Sequence, residues 1–423
     1  ILAATDQIVA AELEQSFFVG ELSLDGSLRG VKGVLPIAQQ AQRGGYRRIY
    51  VPRENADEAA VVEGIEVLPV ASLREVAASL NGEIVIEAVH SNIHQEMEPV
   101  AYAEDFADVK GQTHAKRALE IAAAGGHNVI MIGPPGSGKT MLARRMPSIM
   151  PPMSMEEALE TTKIHSVAGK LGAEQGLMRQ RPFRAPHHLA SPMALIGGGN
   201  SPQPGEVSLA HNGVLFLDEM PEFGHSVLEV LRQPMEDKHI TISRVRYTVD
   251  YPSNFTLVAS MNPCPCGYYN HPTKECSCSA AAVHRYVGRI SGPLMDRIDL
   301  HVEITPVKRE ELSSSELSES SAAVRERVIR ARERQAERFR GTGIYTNTMM
   351  SSAMLREFCP LSSEARRLLD VAMERLQLSA RAYDRIIKVA RTIADLAGEQ
   401  DIAPSHISEA ITYRTLDRES WGR

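Results

Sequence analysis

The chain has 423 residues, 43% hydrophobic and 23% charged, which is apolar content enough for two to four domains with sizeable cores. It holds no run of eighteen apolar residues and no signal peptide. That excludes a membrane-spanning helix and predicts a soluble, cytoplasmic protein. The net charge of −7 is unevenly placed: residues 1–105 carry 7 Lys+Arg against 17 Asp+Glu, and the remainder 39 against 36. Local loops, not the total, therefore decide whether nucleic acid is a partner.

The opening ILAATDQIVAAEL starts at Ile1 and reads as the middle of a domain, so the chain is expected to be trimmed at its N-terminus. Residues 1–82 alternate β-like runs (SFFVGEL, RRIYVP, IEVLPV) with helical stretches and lack nucleotide-binding glycines, an α/β module. Residues 83–105 read as a polar linker. The stretch 106–306 then carries the chemistry.

VIMI, residues 129–132, is a short apolar strand that runs into GPPGSGKT. This is a complete Walker A loop: Gly133, Pro134, Pro135, Gly136, Ser137, Gly138, Lys139 and Thr140. Its glycines let the backbone turn N–H groups toward phosphate oxygens, Lys139 reaches the β- and γ-phosphates, and the Thr140 hydroxyl ligates Mg²⁺. Some eighty residues later GVLFLDE ends a buried strand in two carboxylates. Asp218 is placed to hold Mg²⁺ and Glu219 to orient or deprotonate the attacking water. The two motifs in order, each on its own strand, predict an ATPase.

Between them lies RQRPFRAPHHLASPMALIGGGN, which mixes Arg179, Arg181, Arg184, His187 and His188 with Phe183. Arginines neutralise phosphates and an aromatic stacks a base, so the mixture suits single-stranded nucleic acid, with Arg181 and Arg184 as contacts. The alternating segment DKHITISRVRYTVDYP predicts a β-hairpin with Lys238, Arg244 and Arg246 near its turn, a second set of DNA contacts. Subunit contacts or surface ion pairs are the competing reading for every one of these arginines.

The strand FTLVAS leads to Asn262, whose side chain at the strand tip would sit between the Walker motifs and bond the attacking water or γ-phosphate. Immediately after it, Cys264, Cys266, Cys276 and Cys278 fall within fifteen residues as C-x-C, nine residues, C-x-C. In a cytosolic ATPase this cluster favours a structural Zn²⁺ tetrathiolate over disulfides, with free or redox-active thiols as the alternative. His271 lies inside that loop, and Cys359 stands alone. In GPLMDRIDLHVEI, Arg297 is placed to reach a neighbouring subunit's ATP as an arginine finger. Residues 307–345 read as a serine-rich linker and a charged helix with a solvated face. Residues 346–423 form a helical lid in which Arg381 starts a helix and would contact the γ-phosphate, with Arg385 one turn on as the competing choice.

The order DVKGQ, GPPGSGKT, GEVSLAHNGVLFLDE, SMNPCPCGYY, ISGPLMDRIDLHVE and SARAYDRIIKVARTIADL resembles the magnesium-chelatase-like branch of the AAA+ ATPases, and within it the ComM/YifB family. The likeness spans essentially the whole chain, and NPCPCGYY followed by CSCS is its most specific part. The resemblance implies an AAA+ P-loop α/β core with a parallel sheet and a C-terminal helical lid. It implies Asn262 as sensor 1, Arg297 as the finger, Arg381 as sensor 2, and a homo-hexameric ring with the basic loops lining its pore. It further implies a motor acting on single-stranded and branched DNA, a helicase that promotes branch migration during natural transformation, alongside recombination proteins.

GELSLDGSLRGVKGVLPIAQQAQRGG is similar to the proteolytic domain of Lon-type proteases. Aligned through GELSLDG, the catalytic lysine position falls on Leu35, while Lys32 is three residues out of register. Leucine cannot serve as a base, so residues 1–82 are expected to be a truncated, non-proteolytic Lon-like fragment. Two other readings share the core motifs: the ATPase subunit of a magnesium chelatase, and an AAA+ regulator that remodels a protein partner.

Overall fold

The computed structural model describes residues 1–90, 101–172, 176–199, 202–243, 248–307 and 318–414. The chain forms two compact units, one of residues 1–100, 152–180 and 199–204, the other of residues 101–151, 181–198 and 205–423.

The first unit is built on a three-stranded parallel sheet in the order β1 (Ser16–Phe18), β2 (Arg48–Pro52), β3 (Glu66–Val70). Helix α1 (Val34–Arg43) presents Val34, Leu35, Ala38 and Ala41 to the core, the one-sided stripe that its apolar spacing demands. These pack with Ile49, Val51 and Val67 of the sheet. Helix α2 (Ala56–Ala60) adds Ala56, Ala59 and Ala60.

The same core takes in Met153, Ala158 and Leu177, from the stretch between the two Walker motifs. Helix Met155–Ala168 there starts at a Ser154/Glu157 capping box and stops at Gly169, φ 65°. The buried Glu58 carboxylate ties these pieces together. It accepts from the Leu35 N–H at 2.8 Å, from Asn55 Nδ2 at 3.2 Å and from the Ser166 hydroxyl. Leu35 is fully buried.

The second unit is an α/β sandwich around a five-stranded parallel sheet. Its strands are β4 (Val129–Ile132), β5 (Phe183–Arg184), β6 (Val214–Leu217), β7 (Thr256–Met261) and β8 (Leu300–Glu303), in spatial order β8-β4-β7-β6-β5. Strands β4, β6 and β7 are buried along their whole length, as a sheet covered on both faces requires. Alternation sorts their side chains. Val129, Met131, Val214, Phe216 and Val258 join one core, and Ile130, Ile132, Leu215, Leu217, Ala259 and Met261 the other.

The first of these cores continues through α4 (Thr113–Gly125) into the C-terminal helices. These are α7 (Ser321–Arg338), α8 (Ser352–Phe358), α9 (Ser363–Leu376), α10 (Ala380–Ala397) and α11 (Pro404–Thr412). The charged helix α7 is more than a solvated spacer, because Val324, Val328, Ala331 and Gln335 form a buried stripe on one side. Charge stays on the other faces, with Arg327 held by Glu120 and Glu319. Shorter helices of this unit include α5 (Lys139–Arg144) after β4 and α6 (Ala280–Val287) after the cysteine loop. No described helix is long and apolar enough to cross a membrane.

Candidate active site

Register decides which residues meet. Met261 of β7 lies opposite Ile132 of β4, and Ala259 opposite Leu217 of β6. The next residue on each strand is therefore Asn262, Gly133 and Asp218, and all three emerge at the carboxyl edge of a parallel sheet, where ligands of such sheets bind.

The loop after β4 is shaped by its glycines. Gly136 and Gly138 adopt φ 77° and 92°, in the left-handed region. Gly133 faces the Ile304 carbonyl so closely that a Cβ would stand 2.4 Å from it. Gly133 N–H donates to the Met261 carbonyl at 3.2 Å, which ties the loop to the tip of β7. Lys139 is buried and folds back over the loop. Its ammonium donates to the Gly133 and Pro134 carbonyls at 2.7 and 2.9 Å and reaches Asn262 Oδ1 at 3.4 Å. Burial lowers its pKa, against the pull of Asp218 and Glu219. Ser137 Oγ is buried without a hydrogen-bond partner, and beside Gly136 the space is open. An unpartnered hydroxyl and an open, N–H-lined turn suit a phosphate group.

Thr140 Oγ1 donates to Asp218 Oδ2 at 2.9 Å. A hydroxyl and a carboxylate at that separation can share one Mg²⁺, whose ligands are oxygens. Glu219 is exposed and sits at φ 52°, a conformation that costs a non-glycine residue and often marks a working site. Its N–H donates to Ser260 Oγ at 3.1 Å and to Asp218 Oδ1 at 3.2 Å. The Ser260 hydroxyl in turn donates to Asp218.

The sequence motifs assign no role to Ser260 or Gln112. Ser260 was within reach, since on a strand it shares a face with Asn262 two residues on. Gln112, itself at φ 56°, donates to the Ser137 carbonyl at 3.2 Å and the Thr305 carbonyl at 2.7 Å, clasping the Walker loop. Only the fold discloses that clasp.

The arginines divide differently. Arg297 donates to the Pro293 carbonyl at 2.6 Å and pairs with Glu236. Arg381 is largely exposed and lies 3.5 Å from Asp296. Neither contacts the Walker residues within the chain. Arg385 is mostly buried, 3.9 Å from the Asp299 carboxylate, and burial lowers its pKa. Of the two C-terminal arginines, Arg381 is the more exposed.

Two of the basic residues expected to meet DNA have other partners. Arg181 is buried and donates to the Pro151 and Asn212 carbonyls at 2.6 and 2.7 Å. Its guanidinium secures backbone. Arg184 forms a two-pronged pair with Glu206 at 2.6 and 2.9 Å. Phe183 stacks on Phe216 at 5.8 Å instead of standing free. Lys238 is half-buried, and burial lowers its pKa against the pull of Asp299. The hairpin strands His239–Ser243 and Thr248–Pro252 pair antiparallel as the alternation predicted. Arg244 and Arg246 lie outside the described residues.

The four cysteines converge. Their sulfurs all lie within 4.8 Å of one another, with Cys264–Cys266 at 3.3 Å, Cys266–Cys276 at 3.5 Å and Cys264–Cys276 at 3.7 Å. A disulfide needs about 2.05 Å. A tetrahedral ion with metal–sulfur bonds of about 2.3 Å places its sulfurs roughly 3.8 Å apart, so this donor set fits a tetrathiolate metal. Main-chain N–H groups of Tyr269 and Cys278 donate to Cys264 and Cys276 sulfurs at 3.3 and 3.4 Å, the outer bonding that metal thiolates attract. His271 Nδ1 is instead occupied by loop N–H groups, and Cys359 is buried near Met350.

Comparison with known proteins agrees with this architecture. The profile of the family described as "Magnesium chelatase, subunit ChlI" matches residues 105–312, that of its C-terminal region residues 318–414, and a further ChlI profile residues 1–55. The chain is 45% identical to YifB of Escherichia coli over 421 residues, 99% of the chain and 81% of that protein. It is 44% identical to the competence protein ComM of Haemophilus influenzae over 422 residues, with the same two shares. A shorter likeness, 29% over 157 residues, covers 34% of the chain and 27% of Lon protease 2 of Bacillus subtilis.

Proposed function

The chain belongs to the ComM/YifB family of magnesium-chelatase-like AAA+ ATPases, and on that premise we propose that it is an ATP-driven DNA translocase that promotes branch migration during natural transformation. The observation that carries the ATPase part is the meeting of Lys139, Thr140, Asp218, Glu219 and Asn262 at one edge of the sheet. On nucleotide binding, Lys139 exchanges the Gly133 and Pro134 carbonyls for the β- and γ-phosphates. Thr140 and Asp218 would hold Mg²⁺, which would neutralise charge developing on the transferred phosphoryl group. Glu219 takes the proton of the attacking water, and Asn262 orients that water.

Hydrolysis then needs one more positive charge. Arg297 and Arg381 pair with Glu236 and Asp296, away from the Walker residues, so a finger supplied by the next subunit of a ring hexamer fits this geometry. Arg297 takes that role when it leaves Glu236, and Arg381 serves as sensor 2. The DNA part is supported by the likeness to a competence protein and by Arg244 and Arg246, which stand in sequence between the two paired hairpin strands. Cys264, Cys266, Cys276 and Cys278 hold a structural Zn²⁺.

Steady-state ATP hydrolysis with and without single-stranded and branched DNA, at two salt concentrations, tests this reading. Stimulation that weakens as salt rises supports phosphate contacts by a DNA motor. A rate indifferent to every DNA sinks the translocase reading and turns attention to a porphyrin or protein substrate.

A further inference from the structure

The cysteine loop is a closed excursion from the catalytic edge of the sheet. It leaves β7 at Asn262, and the first cysteine follows two residues later, fully buried. It returns through Ser279, which caps α6 by accepting from the Ala282 N–H at 3.3 Å. One turn and a half along α6 stands the buried Tyr286. The excursion therefore begins at the residue that touches Lys139.

Between those ends the loop lies against the Walker A turn. Gly267 sits at φ 83°, and a Cβ there would stand 2.6 Å from Pro135 Cδ and 3.0 Å from Pro135 Cγ. The Gly267 N–H donates to the Cys264 carbonyl at 3.0 Å, so this turn is the chelate turn itself. Cys264 and Cys266 thus fix the backbone that bears on Pro135, and Cys276 and Cys278 lock it from the far side of the loop. A loop of this composition has few apolar contacts of its own, and thiolate–metal bonds are what give such loops one shape.

We infer that the four-cysteine centre braces the nucleotide pocket: metal binding shapes the 262–279 loop, which presses on Pro135 and positions Asn262, so that loss of the metal weakens nucleotide binding. The inference rests on the reading of the cysteines as a metal site given above. It makes the metal a determinant of ATP affinity rather than only of folding.

The test uses the whole chain, purified under reducing conditions without metal chelators. Zinc content is measured together with equilibrium affinity for a fluorescent ADP analogue, a readout independent of turnover. The expected result is about one zinc per chain in the unaltered protein. Removal by a zinc-selective chelator that spares Mg²⁺ weakens the analogue on the order of tenfold, and zinc re-addition restores it. The reversal separates bracing from misfolding. Gly267→Ala keeps all four cysteines and sets a Cβ against Pro135, with strain in the turn at φ 83° that the zinc measurement checks. It retains zinc and still weakens the analogue several-fold. Zinc present, but affinity unchanged by its removal and by Gly267→Ala, overturns the brace and leaves the metal site standing. Far less than one zinc per chain overturns the metal reading and the brace together.

Discussion

Thr140 and Asp218, 78 residues apart in the chain, face each other at 2.9 Å across the catalytic edge of the sheet. The pair places a hydroxyl and a carboxylate where one Mg²⁺ can take both. Asp218→Asn keeps the shape and removes the charge. Hydrolysis is expected to fall on the order of a hundredfold or more, and affinity for nucleotide measured without Mg²⁺ to change little. A variant that turned over at the original rate would remove Asp218 from the metal site.

Ser260 holds this arrangement from below, as its hydroxyl serves both the Asp218 carboxylate and the Glu219 N–H. Ser260→Ala leaves the strand intact and frees both. We expect kcat to drop about tenfold with KM for ATP nearly unchanged, because the loss is of positioning in the transition state. Ser260→Thr, which restores the hydroxyl, should recover most of the rate. Loss of kcat in the alanine variant without recovery in the threonine variant would point to packing instead.

Glu219 stands at φ 52°, where a side chain costs conformational energy that only function repays. Glu219→Gln is expected to bind ATP and not hydrolyse it, as seen by nucleotide binding beside a phosphate-release assay. Glu219→Gly should be equally inactive yet melt about 1–2 °C higher, since glycine adopts this backbone freely. Full hydrolysis by the glutamine variant would reassign the base.

Much of this site was legible in the chain, and the reason is local. The Walker loop is eight consecutive residues, GVLFLDE is seven, and each brings its own strand. What escaped is whatever depends on distant partners. A basic loop reads alike whether its arginines face a phosphate, as expected of Arg181 and Arg184, or the Asn212 carbonyl and the Glu206 carboxylate, as the fold has it. The stretch 152–180 lies between the Walker motifs in sequence but shares its core with Leu35 and Ile49. Such sharing is written in long-range packing and in no short motif. The buried stripe of α7 was, by contrast, readable: Val324, Val328 and Ala331 repeat at helical spacing within a run of charges that masks them.

The partners of these arginines change what DNA experiments should find. Arg184→Ala breaks a half-buried pair with Glu206, and we expect lower stability with unchanged salt dependence of DNA-stimulated hydrolysis. Arg244→Ala with Arg246→Ala is expected to weaken DNA stimulation and to reduce its salt slope by about 1–2. DNA stimulation that survives the double variant at full salt slope would remove the hairpin from the DNA path.

Asp299 supplies the pH dependence. It is buried at the start of β8 and accepts from the Asn128 N–H at 2.9 Å. Burial alone would raise its pKa, but His127, Arg385 and the Asn128 N–H together hold it well below the ordinary 3.8. The same carboxylate is the counter-charge that supports protonation of Lys238, Arg385 and Lys388. A carboxyl whose native pKa lies below its unfolded value contributes stability that is complete above the unfolded pKa and disappears as pH falls toward the native one. Asp299→Asn keeps the volume and deprives these cations of their partner, at a cost of about 3 kcal/mol near neutrality. That deficit should be constant from pH 7 to about 5 and shrink below 3.8, as the unaltered protein loses what the variant never had. Urea unfolding of both proteins at pH 7, 5 and 3 measures it. A deficit just as large at pH 3 as at pH 7 would mean that Asp299 acts through packing and hydrogen bonds, and not through its charge.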